Sequence, residues 1–238
     1  MRNIALLALV LLISIPADAQ LFKRRKGEDP IINMENFDKQ RFTWGYFLGF
    51  NQYDFKFDYI ENLGDVQVAK TVGFNVGLVG NMRVNDYVDF RLEPGIYFTT
   101  RELGFPPNAA FTSDSQRIRE VKSTYIHVPL LLKLNAKRYN NIRPNVFGGI
   151  STSLNLSSNE ENIDDNSSGT FRMKRSTFYY EIGAGIDFYT PYFKFTPSIR
   201  GVFAINDELV RDADPNSPWT GNIDQMSTRG VFVNFTFQ

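Results

Sequence analysis

The sequence predicts an all-β fold: an eight-stranded antiparallel up-and-down transmembrane β-barrel, preceded by a signal peptide and a short periplasmic leader. Three observations carry this reading. Hydrophobicity with a period of two recurs in eight segments. The connections between them run long, short, long, short, long, short, long, the rhythm of a barrel with tight turns at one end and loops at the other. The final segment, Gly230 to Gln238, alternates apolar and polar residues and carries Phe235 and Phe237 close to its end. In such a barrel only every second residue faces lipid, which suits a slightly negative mean hydropathy. Aromatics make up 15% of the chain, with 22 Phe and 11 Tyr, a supply of strand formers and of girdle residues. A secreted soluble β-sandwich also alternates, but its outward face would be polar and its turns would not keep this rhythm.

The amino-terminal segment reads as an export signal. Arg2 is followed by an apolar run from Ile4 to Ile15 broken only by Ser14. Pro16 ends the run, and Ala17-Asp18-Ala19 suits cleavage before Gln20. About a dozen apolar residues are too few to cross a bilayer roughly 30 Å thick as a helix; the competing reading is an uncleaved anchor. No other segment is long and apolar enough for a membrane helix, so a spanning structure must be a closed barrel that satisfies its own backbone. The chain has no cysteine, which excludes a lipid-anchored lipoprotein, disulfides and thiolate metal sites. Its formal net charge is zero, so no nucleic-acid footprint is expected. The expected organisation is a signal peptide over 1–19, a flexible periplasmic leader over 20–41 and the barrel over 42–238. The basic run from Lys23 to Lys26 is either a solvated part of that leader or a contact for anionic lipid or a partner.

The elements follow in order. Strand one sets Trp44, Tyr46, Leu48 and Phe50 on one face. A second alternation, Tyr53, Phe55, Phe57 and Tyr59 against Asp54, Lys56 and Asp58, is out of phase with the first. A bulge near Gln52, or the start of an extracellular extension, is expected there. Strand two (71–83) opposes Val72, Phe74, Val76 and Leu78 to Asn75 and Asn81. Asn85-Asp86 turns into strand three (87–99), which opposes Val88, Phe90, Leu92, Ile96 and Phe98 to Asp89, Arg91 and Glu93. Strand four (120–134) sets Ile126, Val128, Leu130, Leu132 and Leu134 against Tyr125, His127, Pro129 and Lys133. A turn over Lys137–Asn141 leads to strand five (143–156). An acidic, serine- and asparagine-rich loop follows. Strand six (174–189) opposes Phe178, Tyr180, Ile182 and Ile186 to Glu181 and Asp187, and Thr190-Pro191 turns the chain. Strand seven (192–205) opposes Phe193, Phe195 and Ile199 to Lys194, Thr196, Ser198 and Arg200. Strand eight, after a long loop, points Val231, Val233, Phe235 and Phe237 outward as a membrane-insertion strand.

Eight strands enclose a lumen that side chains can fill. The charges expected inside, Arg91, Glu93, Lys133, Glu181, Asp187 and Arg200, must pair with one another. His127, the only histidine, is expected to join that polar network. Lipid-deacylating barrels use a serine, a histidine and an acid in hydrogen-bond reach. The nearest inward serine on the same strand is Ser123, four residues from His127, so no catalytic residue is assigned. The acids from Glu160 to Asp165 lack the spacing of a calcium loop. No metal, cofactor or small-molecule substrate is expected.

Two stretches resemble known families. Tyr125 to Lys133, Tyr-Ile-His-Val-Pro-Leu-Leu-Leu-Lys, is similar to the strand-four signature of small porin-family barrels of the Bacteroidetes. Arg41 to Tyr59, with its Gly-Tyr-Phe-Leu-Gly core and Tyr-Asp-Phe-Lys segment, resembles the opening strand of the PorT/SprT proteins of the type IX secretion system. That resemblance implies an outer-membrane accessory component, not an enzyme and not the conduit. It would support translocon assembly and cargo export, and adhesin delivery in gliding relatives. The implied partners are outer-membrane lipid and other type IX components, with both termini periplasmic. A generic small barrel for envelope integrity or surface adhesion is the alternative.

Overall fold

The computed structural model describes residues 31–61, 64–107, 111, 113–160 and 171–238. The expected signal peptide and most of the leader therefore lie outside the described residues. The described residues form ten strands: β1 (Phe42–Tyr59), β2 (Gln67–Lys70), β3 (Val72–Arg83), β4 (Val88–Leu92), β5 (Gly95–Gly104), β6 (Ile118–Asn135), β7 (Ile142–Asn155), β8 (Ser176–Tyr189), β9 (Lys194–Ala204) and β10 (Ile223–Phe237). Each strand pairs antiparallel with its neighbours, and β1 pairs with both β10 and β3, so the sheet closes.

The ring has eight staves, because β4 and β5 together fill one place between β3 and β6. The sequence predicts one continuous strand there. Pro94 interrupts it, since proline has no N–H to give to the ladder. Pairing is carried across the break by Leu78 N donating to the Pro94 carbonyl at 2.9 Å and Glu93 N donating to the Pro129 carbonyl at 3.3 Å. The other addition, β2, lies within an expected loop and extends the sheet by pairing with β5.

Three tight turns share the end of the barrel where Phe42 and Phe237 lie. Asn85 Oδ1 accepts from Tyr87 N and Val88 N at 2.8 and 2.9 Å. Asn140 takes the left-handed φ of 52° in the hairpin closed by Tyr139 and Ile142, a conformation asparagine tolerates. Thr190 closes the third turn onto Phe193. Of the leader residues, 33–36 form a turn and Phe37–Lys39 a single 3₁₀ turn at this same end.

No bulge occurs at Gln52. The register of β1 against β10 runs one to one from Tyr46↔Phe237 to Asp58↔Gln225, with an irregularity only between Asp58 and Tyr59. The strand keeps its phase; its surroundings change. Up to Phe50 the outward residues are apolar and exposed. Above Gln52 the inward residues Tyr53 and Phe55 are buried, while Lys56 and Asp58 point out and pair at 3.0 Å. The alternative expectation, an extension, describes this strand. Beyond the apolar belt the barrel becomes an ordinary water-facing one, greasy within and charged without. Phe42 to Gln52 spans about 25 Å along the barrel axis at 3.3 Å per residue and a tilt near 40°, the height of a lipid-facing band.

The loop end is closed by an apolar cap. Phe55, Leu103, Phe105, Val121, Phe171, Met173, Leu209, Ile223 and Met226 form one buried cluster, with Trp219 packed against it. Strand extensions and loops both supply it, so the described loop segments fold back over the barrel mouth.

Candidate functional site

The lumen is the site with the densest chemistry. Inward positions on β4, β6, β8 and β9 carry Arg91, His127, Lys133, Glu181, Asp187 and Arg200, with Glu93 at the break before Pro94. All seven are buried. Arg200 is the hub: its guanidinium donates to Glu181 Oε2 at 3.0 Å and also bonds Glu93. Arg91 pairs with the other oxygen of Glu93. His127 Nε2 donates to Glu181 Oε1 at 2.7 Å, which places its ring proton on that nitrogen. This group balances two guanidinium charges against two carboxylates and spreads each across more than one partner, the condition under which burying charge is tolerable.

A second group sits nearer the turns. Lys133 Nζ donates to both oxygens of Asp187, at 3.0 and 2.9 Å. Asn145 and Thr196 donate to Asp187 Oδ1 at 3.0 and 2.8 Å. Lys194, on the expected inward face but outside the expected site, is buried beside this group, and its Nζ stands 4.8 Å from the ring centre of Phe37. On the other wall Asn51 donates to Asn75 at 3.3 Å and Asn75 to Asn234 at 2.8 Å, linking β1, β3 and β10.

Aromatic rings fill the middle. Phe47, Tyr53, Tyr97, Tyr125, Tyr179 and Phe232 form a buried cluster. Tyr97 and Tyr179 meet the His127 ring edge-on at 5.1 and 5.6 Å. Phe47 fits because Gly77 and Gly95 lie beneath it: a Cβ on either would come within 2.5 and 2.8 Å of its ring. Above this layer Arg101 is fully buried. It donates to Tyr125 Oη at 2.6 Å and Ser123 Oγ at 3.3 Å, and lies 3.8 Å over the Phe55 ring. Glu208, also fully buried, accepts from Thr228 N and Thr228 Oγ1 at 2.9 Å each. Burial pushes its carboxyl up to about 7. Neither Arg101 nor Glu208 was in the expected network. Arg101 is four inward steps above Glu93 on the same alternation, a signal the sequence carried; Glu208 lies in an irregular loop and had none.

Among the described residues no serine is hydrogen-bonded to His127. Ser123 serves Arg101 rather than His127. Ser153 faces His127 across the β6–β7 ladder, but no hydrogen bond joins them. Among the described residues no group of three metal-ligating side chains occurs. Glu160 accepts from Arg175 N at 2.6 Å; the rest of the acidic loop lies outside the described residues.

The outer wall complements this interior. Trp44, Tyr46, Leu48, Phe74, Leu78, Leu130, Ile150, Tyr180, Ile182, Ile199 and Val231 are exposed on successive staves, an apolar belt far beyond what a water-soluble surface carries. On β10, Val231 and Val233 are exposed. Phe235 and Phe237 face the same way, half-covered by Phe195 and Tyr46, with ring centres 6.2 and 5.3 Å apart respectively. A closed ring with polar lumen, apolar belt and aromatic carboxy-terminal strand is the physical pattern of an outer-membrane barrel. Residues 19–210 match the model of the outer membrane protein beta-barrel domain. The chain belongs to this outer-membrane β-barrel family. Its members' setting makes lipid the medium around the belt. No curated protein sequence matches this one. Among solved structures, this barrel is similar to the N-terminal β-barrel domain of Pseudomonas aeruginosa OprF, with 15% identity, 82% of this chain and 97% of that chain covered, and a TM-score of 0.39. It is similar to Neisserial surface protein A, with 8% identity, 83% and 98% covered, and a TM-score of 0.44. It is also similar to OprG of Pseudomonas aeruginosa, with 14% identity, 82% and 94% covered, and a TM-score of 0.43.

Proposed function

We infer that this is a non-enzymatic structural barrel of the outer membrane, serving envelope integrity or surface adhesion through its body and loops rather than by conduction. The observation that supports this most is the packing of the lumen. The Arg200–Glu181–His127 network, the ring layer around Tyr97 and the apolar cap succeed one another along the axis. β1 begins and β10 ends at the short-turn end, so on this reading that end faces the periplasm, with a signal peptide over 1–19 and a leader over 20–41 ahead of the barrel. Val231, Val233, Phe235 and Phe237 then form the strand read by the insertion machinery. Reconstitution in planar bilayers tests the closed lumen: silence is expected, and steady ohmic openings would overturn it.

A narrower role has one specific support. The resemblance of Arg41–Tyr59 to PorT/SprT proteins favours an accessory component of type IX secretion, assembling with other translocon proteins to support cargo export. A deletion strain separates the two roles. Lost protease secretion or motility supports the secretion role, whereas normal export with altered detergent sensitivity supports the envelope role.

A further inference from the structure

The outer surface changes character at one height, and a cleft between β1, β2 and β10 lies on that boundary. It is lined by Gln52, Asp54, Lys70, Phe203, Arg229 and Val231. Asp54, which β1 turns outward, is nonetheless buried, because two cations cover it. Arg229 Nε donates to Asp54 Oδ2 at 2.8 Å and Arg229 Nη2 stands at 2.8 Å; Lys70 Nζ reaches the same oxygen at 3.0 Å. One carboxylate thus fixes two cations and neutralises only one. The side chains of Lys70 and Arg229 remain 41% and 53% exposed. The neighbouring Lys56 is neutralised by Asp58.

Below the cations the wall is the apolar belt, with Val231 exposed and Phe203 partly so. A ligand matching both halves has a hydrocarbon part on Val231 and Phe203 and an anion against Arg229 and Lys70. Arginine presents a planar fork to phosphate, and lysine adds a point charge. The carboxylate pre-orders both long side chains, which lowers the entropy lost when an anion arrives. We propose that Lys70 and Arg229, held by Asp54, form a clamp for the phosphate of an anionic lipid headgroup at the loop-end leaflet. This rests on the belt being embedded in lipid, and the test separates the two ideas.

The full chain, folded in detergent and checked by heat-modifiable migration, is first inserted into phosphatidylcholine vesicles; failure to insert overturns the embedding and the clamp with it. Retained lipid is then read by native mass spectrometry after incubation with phosphatidylglycerol, phosphatidylcholine or inorganic phosphate. Preferential retention of phosphatidylglycerol is expected. Lys70→Gln should lower it about fivefold and Lys70→Gln/Arg229→Gln about thirtyfold, with phosphatidylcholine unchanged. The single variant alters one exposed residue of a short strand, so it decides the matter if the double variant misfolds. Equal phosphatidylglycerol retention by the folded variants overturns the clamp. Competition by inorganic phosphate without lipid preference also overturns it, in favour of a free-phosphate site.

Discussion

Arg101 and Glu208 do not touch; they share the hydroxyl of Thr228. That hydroxyl donates to Glu208 Oε2 at 2.9 Å and accepts from Arg101 Nη1 at 3.4 Å. Burial raises the Glu208 carboxyl to about 7, against the opposing pull of the Thr228 bonds and of Arg101. The folded state therefore binds this proton more tightly than the unfolded state. The contribution to stability is fully present below about pH 4.5 and is lost as pH rises through about 7, a change of at most about 3 kcal/mol. Unfolding in detergent across pH 4 to 8 should show this slope in the parent and not in Glu208→Gln. Identical slopes would mean that Glu208 is already charged.

The hub position of Arg200 sets a second expectation. Arg200→Met leaves Glu181 with His127, and Glu93 with Arg91, as the remaining ion partner among the described residues. Removing one member of a buried ion group costs about 3–5 kcal/mol. Adding Glu181→Met removes the stranded charge and should recover much of the loss. A double-mutant cycle from urea unfolding measures the coupling; simple additivity would show that the two do not interact in the folded barrel.

The polarity switch along β1 fixes where lipid ends. Leu48 and Gln52 both point outward, Leu48 within the belt and Gln52 at its rim. Leu48→Arg should cost about 2–4 kcal/mol in bilayers, and Gln52→Arg about 0–1. Inside the cap the order reverses in kind: Leu103 is fully buried, and Leu103→Ala leaves a cavity costing about 2–5 kcal/mol. Refolding equilibria into vesicles check all three. Equal costs at 48 and 52 would place the lipid boundary elsewhere.

Much of this was legible because a membrane barrel writes its two faces as alternate residues. Arg91, His127, Lys133, Glu181 and Asp187 sit opposite apolar neighbours along their own strands, so their direction followed from period alone. The apparent slip at Gln52 misled for the same reason. Pattern reports environment relative to the chain, and the environment inverted while the backbone kept its register. Cross-strand facts were not readable at all. That Phe47 rests on Gly77 and Gly95 depends on which residues the closed sheet brings together. The position of Glu208 depends on how an irregular loop folds back over β10.

At the opposite end the last leader residues are tied to the barrel by side chains of its turns. Tyr189 donates to Asp38 Oδ1 at 2.6 Å, and Arg138 and Arg143 each stand 3.4 Å from the Asp38 carboxylate. Asn33 N donates to Asn141 at 2.9 Å, and Phe37 lies against Lys194. Asp38 gathers Tyr189, Arg138 and Arg143 onto one carboxylate, while Asn33 makes the other ties, to Asn141, Tyr189 and Arg138. Asp38→Asn should release the segment without unfolding the barrel, since the strands and lumen network do not depend on it; each partly exposed pair is worth only about 1 kcal/mol or less. Trypsin should then cut after Lys39 or Arg41 several-fold faster, by roughly the factor of 5 that 1 kcal/mol of local opening implies. Heat-modifiable migration of the trimmed barrel should persist. An unchanged cleavage rate would show that the backbone contacts of Asn33 and the Phe37 ring hold the segment without Asp38.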